Sequence, residues 1–126
     1  MTVTLLKSKL HQARVTDANK EYEGSIGISR ELCEAVGFLP WERVLVANIE
    51  TGARLETYII VIETPGKIVL NGAAAHLFIP GERCIIMSFA EMTPEEAATH
   101  SPRVAVLDGR NQIGELRLPK PPPHLQ

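Results

Sequence analysis

Prolines and glycines cut this chain into short pieces, none long enough to offer an extended helical face. Nine of each are spread over 126 residues. The apolar runs between them mostly alternate or are β-branched, as strands require. Residues 2–6 and 9–16 have strand character, and so does Ser25–Ser29. Arg43–Ile49 and Arg54–Glu63 read as two strands joined through Glu50-Thr51-Gly52-Ala53, a hairpin signal. Thr64-Pro65-Gly66-Lys67 turns the chain into Ile68–Leu70, and Ile79-Pro80-Gly81-Glu82 turns it into Arg83–Glu91. Arg103–Leu107 is the last predicted strand, with a turn after it at Asp108-Gly109. The predicted helices are short. One covers residues 30–36, with Ser29 as N-cap and Gly37 as stop. Asn71–Phe78 is a tight turn passing into about one helical turn. Thr93-Pro94-Glu95-Glu96 matches a capping box whose helix Pro102 ends. The pattern predicts a mainly β fold, a small β-barrel with short helices.

Residues 55–62 become apolar on both faces toward their end. Such a strand is expected to lie centrally in a covered barrel or against another subunit, which predicts an oligomer. Residues 1–118 are read as a single domain, and 119–126 as a Pro-rich, disordered tail. The formal net charge is −2, with no block of Lys or Arg. No nucleic-acid partner is therefore expected, since that affinity rests on clustered cations. With no secretory signal and no apolar run of spanning length, no membrane association is expected and the localisation is read as cytoplasmic. Cys33 and Cys84 have no metal-ligand spacing and read as buried thiols. The sequence has no HExxH, paired CxxC, GxSxG elbow, P-loop or dinucleotide fingerprint, and no metal is expected.

Against this background, Tyr22-Glu23-Gly24-Ser25 stands out. A serine hydroxyl can attack the carbonyl carbon of a preceding glycine, converting the amide to an ester. Glycine has no side chain to obstruct that attack. Elimination from the ester leaves dehydroalanine, and hydrolysis then leaves a pyruvoyl ketone at a new N-terminus. Alone, Gly-Ser is an ordinary turn. Three other groups accompany it. Lys9 and His11 share a strand face. Arg54 and Tyr58 share one face of a second strand, with Thr57 on the other. Asn71-Gly72-Ala73-Ala74-Ala75-His76 is a loop of small side chains. Singly, each has an ordinary structural explanation.

In combination, Lys9-Leu10-His11, Tyr22–Ser25, Arg54–Tyr58 and Asn71–His76 resemble the bacterial aspartate 1-decarboxylases. The resemblance runs from about Leu6 to Val106 and is weakest around Phe38–Arg43 and in the tail. It implies a double-ψ β-barrel, a homotetramer, and conversion of L-aspartate to β-alanine and CO2 for pantothenate synthesis. It also implies an inactive precursor that cleaves between Gly24 and Ser25. Residues 1–24 become a β-chain, and residues 25–126 an α-chain headed by a pyruvoyl group made from Ser25. That covalent group forms a Schiff base with the substrate and replaces pyridoxal phosphate (PLP). By the same resemblance Thr57 assists processing and contacts substrate, and Tyr58 donates the proton to Cα. Lys9, Arg54, Asn71, Gly72, Ala73 and Ala74 bind substrate. Arg54 suits the retained β-carboxylate, because a planar guanidinium grips it bidentately.

Two other readings of the chain are a barrel that binds without cleaving, and a DNA-binding swapped-hairpin barrel. The second needs a basic face that the charge pattern does not offer. The sequence leaves open whether cleavage needs a maturation partner. It also leaves open the roles of His11 and His76. Alternation puts Thr57 opposite Tyr58, so their joint assignment to one site requires the edge of that strand to face the cleavage loop.

Overall fold

A computed structural model describes residues 1–119. Nine strands form one sheet: β1 (Val3–Arg14), β2 (Asp17–Asn19), β3 (Ser25–Ser29), β4 (Arg43–Asn48), β5 (Arg54–Ile62), β6 (Ile68–Asn71), β7 (Arg83–Met92), β8 (Arg103–Leu107) and β9 (Ile113–Arg117). Two helices, α1 (Arg30–Val36) and α2 (Pro94–Thr99), and a 3-10 turn at Gly72–Leu77 complete the fold. The order across the sheet is β2-β6-β3-β5-β4-β7-β1-β8-β9. Where β1 ends, Thr16 N donates to Ile68 O (2.8 Å) and Val15 N donates to Glu82 O (2.9 Å). These bonds draw the β1 side of the sheet back to β6, so the sheet curls round one core in the manner of a small barrel. Among the described residues no strand ladder closes it. The expected mainly β fold with short helices is therefore the one that forms.

The core is filled by Leu10, Ile26, Ile28, Leu32, Val44, Val46, Ile59, Ile68, Leu70 and Ile86, all fully buried. At about 1.5–3 kcal/mol for each side chain removed from water, this cluster dominates the stabilisation. Helix α1 adds Leu32, Cys33 and Val36 to it and ends at Gly37, whose φ of 78° is left-handed. Helix α2 buries nothing and depends on its capping box, in which Thr93 and Glu96 bond reciprocally.

Several expectations change. Strands 2–6 and 9–16 are one strand, β1, with irregularities at Leu6/Ser8 and Leu10/Ala13. The polar pair Lys7-Ser8 looks like a break but serves the end of α1. Lys7 Nζ donates to Gly37 O (2.8 Å) and to Glu42, and Ser8 Oγ donates to Val36 O. Ser29 precedes α1 without capping it by side chain. Its hydroxyl instead donates to Thr64 O (2.7 Å) and accepts from Lys67 N (2.6 Å), pinning the turn before β6. Strands β2 and β9 have no counterpart in the sequence reading. One is three residues long and the other is wholly exposed, so neither carries an alternating apolar signal. Of the proposed tail, residues 120–126 lie outside the described residues. No helix among the described residues is long and apolar enough to cross a membrane.

Candidate active site

Strand β3 is buried along its whole length because β5 and β6 pair with its two edges. Its first residue is Ser25, with no solvent exposure. Ser25 lies opposite Asn71 in the β3–β6 ladder, and Asn71 Nδ2 donates to Ser25 Oγ at 3.0 Å. Gly24, one residue earlier, is exposed, and a Cβ built on it would meet nothing within 4 Å. The Gly24–Ser25 bond thus crosses from an open loop into the core.

Gly72 presses against that loop. Its φ is +66°, and a Cβ there would stand 2.7 Å from Gly24 Cα and N and 2.8 Å from Tyr22 O. Only glycine fits, for conformation and for space. The small side chains of the Asn71–Ala74 loop let its backbone approach the cleavage loop.

The third wall is β5. Strand β3 pairs only with Ile59–Ile62, whereas β4 pairs with Arg54–Tyr58. The edge of residues 54–58 away from β4 therefore has no strand beside it. A cleft of about 430 Å³ opens there, lined by Gly24, Leu55, Glu56, Thr57, Tyr58, Ala73, Ala74 and Leu77. Thr57 and Tyr58 alternate in direction yet both border it, because the cleft lies along the strand edge. A larger recess of about 650 Å³ lies over Gly27, Ile60, Ile62 and Val69. It is also bordered by Tyr22 and Asn71 but lacks Gly24, Thr57 and Tyr58, so the smaller cleft is the better chemical candidate.

Within one chain, Lys9 and Arg54 are not among the residues lining this cleft. Lys9 faces Met87, Met87 faces Leu45, and Leu45 faces Glu56. Lys9 thus shares the outer sheet face with Glu56, three ladders away, or about 14 Å at the usual strand spacing. Arg54 begins β5 and is exposed. His11 Nδ1 is buried without a partner among the described residues. Burial, followed by the charges of Lys9, Arg117 and Arg83, holds its pKa below the ordinary histidine value. Both thiols are buried, and burial pushes Cys33 up to about 11 and Cys84 up to about 12, which removes them as nucleophiles.

Trp41, at the weakest point of the sequence resemblance, carries no role in the sequence reading. Its ring stacks on Tyr58, with centroids 5.7 Å apart and planes 23° apart. Glu42 N donates to Leu39 O (3.1 Å), closing a four-residue turn with Pro40 second and Trp41 third. Trp41 has a φ of 71°. That is the signature of a type II turn, whose third position favours glycine or asparagine. A bulky residue there stores about 1–3 kcal/mol of strain. The Leu-Pro-X-Glu turn and the chain's one tryptophan were the available signals. Neither reveals that the turn lies over Tyr58.

A family model described as aspartate decarboxylase matches residues 1–114. A protein of Bacillus licheniformis described as aspartate 1-decarboxylase is 53% identical over 114 residues, covering 90% of each chain. One of Pelotomaculum thermopropionicum with the same description is 52% identical over 120 residues, covering 93% of this chain and 89% of its own. Another, of Salinibacter ruber, is 48% identical over 118 residues, covering 93% and 81%.

Proposed function

This chain belongs to the aspartate decarboxylase family and is an enzyme of that type, and from that premise we propose that it cuts itself between Gly24 and Ser25 to become a pyruvoyl-dependent enzyme. The observation that carries the reading is the junction at Ser25. A buried hydroxyl, held by Asn71, adjoins an exposed glycine beside a cleft lined by Thr57 and Tyr58.

In processing, Ser25 Oγ attacks the Gly24 carbonyl carbon, and the C–N bond breaks as the ester forms. Thr57 donates to the oxygen on which negative charge develops. Elimination breaks the Cβ–Oγ bond, releasing residues 1–24 with a free carboxylate and leaving dehydroalanine at residue 25, which takes up water and loses ammonia to give the ketone. The surroundings fit such a group, because the Asn71 amide that donates to Ser25 Oγ is a ready donor to a ketone oxygen. When present, the pyruvoyl group condenses with the substrate amine and accepts the electron pair left by the departing carboxylate.

The remaining residues bind and move protons. Tyr58 returns a proton to Cα, an efficient transfer because a carbanion is far more basic than phenolate. Arg54 grips the retained β-carboxylate. Gripping the departing carboxylate instead would stabilise the ground state and slow its loss. Lys9, Asn71 and the amides of Gly72, Ala73 and Ala74 complete substrate recognition. The small side chains of that loop limit substrate size.

The distance of Lys9 from the cleft supports a second copy that brings cations to it, and family membership supports a homotetramer. The exposed Ile60 and Phe89 support subunit contacts as well. The localisation proposed is cytoplasmic, with β-alanine feeding pantothenate synthesis. Intact-mass measurement tests the proposal. Two chains divided after Gly24, the larger lighter by one ammonia than hydrolysis alone gives, are expected. A single full-length mass that persists in active protein would defeat it.

A further inference from the structure

We propose that Trp41 is a positioning residue that holds the Tyr58 phenol in place for proton delivery. The proposal rests on the reading of Tyr58 as proton donor. Three observations carry it. The two rings are stacked, at 5.7 Å and 23°. Trp41 occupies a left-handed position where glycine or asparagine is conformationally preferred. Trp41 is 74% exposed, so burial of apolar surface within the chain does not explain a tryptophan there.

The turn that carries Trp41 is fastened to the strand that carries Tyr58. Trp41 N donates to Ile59 O (2.8 Å), and Ile59 N donates to Glu42 O (3.0 Å). The Glu42 carboxylate accepts from Leu39 N (2.8 Å) and from Lys7 Nζ (2.8 Å). The backbone that bears the indole is therefore tied to the residue next to Tyr58. Tyr58 lies on a strand edge without a strand neighbour on the cleft side, and Arg43 is its cross-strand partner on the other. A stacked indole narrows the rotation of the Tyr58 ring and leaves the hydroxyl free to act. Since aromatic stacking is directional, the contact sets the orientation of the phenol as well as its position.

The test uses the processed enzyme and separates positioning from stability. Trp41→Gly and Trp41→Asn both relieve the backbone strain, so the thermal midpoint is expected not to fall. Cleavage after Gly24 is expected to proceed as in the parent. For L-aspartate, kcat is expected to drop about tenfold or more with KM nearly unchanged, the loss typical of a misplaced reacting group. Trp41→Phe, which keeps a ring to stack, is expected to retain most of the activity. In a Tyr58→Phe background, Trp41→Gly should cause no further loss.

Full kcat in Trp41→Gly alongside a crippled Tyr58→Phe enzyme would overturn the positioning role alone. Equal losses in both backgrounds would do the same. A Tyr58→Phe enzyme with undiminished kcat would instead overturn the proton-donor reading, and the positioning role with it. An independent readout comes from the chain's one tryptophan. Its emission should change in Tyr58→Ala, which removes the stacked ring. Unchanged emission in Tyr58→Ala would overturn the stack.

Discussion

Strand β5 is two different structures end to end. Ile59–Ile62 has β3 on one edge and β4 nearby, and its first residue, Ile59, is fully buried. Arg54–Tyr58 has β4 alone as a strand partner, and its other edge faces the cleavage loop. Ile59–Ile62 pairs with β3 alone, the Trp41–Glu42 turn meets its other edge at Ile59, and Ile59 ties it to the core. Arg54–Tyr58 keeps an unpaired edge, and side chains of both directions border the cleft. An exposed strand edge is ordinarily a liability. Here Gly24 and the Asn71–Leu77 loop cover it, and the space that remains is the candidate site.

The contrast predicts losses of different kinds from changes along one strand. The largest belongs to the packed half. Ile59→Ala should lower unfolding free energy by about 2–5 kcal/mol, the cost of a core cavity. Chemical denaturation of the variant measures it, and a near-neutral result would mean that the packed half is no more a core element than the other. Next is Thr57→Val, which keeps shape but removes the hydroxyl. It should slow cleavage by about 10²–10³, the usual cost of one donor to a developing oxyanion, while leaving the denaturation midpoint nearly in place. Cleavage at the parental rate, followed by gel or mass, would remove Thr57 from processing. The smallest is Arg54→Ala. It should raise KM for L-aspartate by about 10–100-fold, the value of a charge-assisted hydrogen bond, while Ser25 is still processed. Efficient turnover at low aspartate would reassign the β-carboxylate contact to another cation.

Much of this was legible in the chain itself. Alternation and turn chemistry located β3, β4, β5, β6, β7 and β8, and the Thr93–Glu96 capping box is present as read. The errors have local causes. Lys7-Ser8 looked like a break because its partners, Gly37 and Val36, are some thirty residues away. Ser29 looked like a cap because a nearby amide is the default partner, yet the turn at Thr64–Lys67 takes its hydroxyl. The opposition of Thr57 and Tyr58 was a correct deduction from period-two geometry. Both residues border the cleft because it lies along the strand edge, the arrangement that their joint assignment required.

The sequence by itself determined the family and the Gly24-Ser25 dipeptide. These depend on residue identity and on short-range stereochemistry, which the chain carries wherever it goes. Tertiary structure alone decided that the β3–β5 ladder begins five residues past the start of β5, that Gly72 lands on Gly24, and that Trp41 lies over Tyr58. Ladder ends and inter-element contacts follow from how the whole core packs. Local periodicity specifies the direction of each side chain but not what stands at the edge beside it.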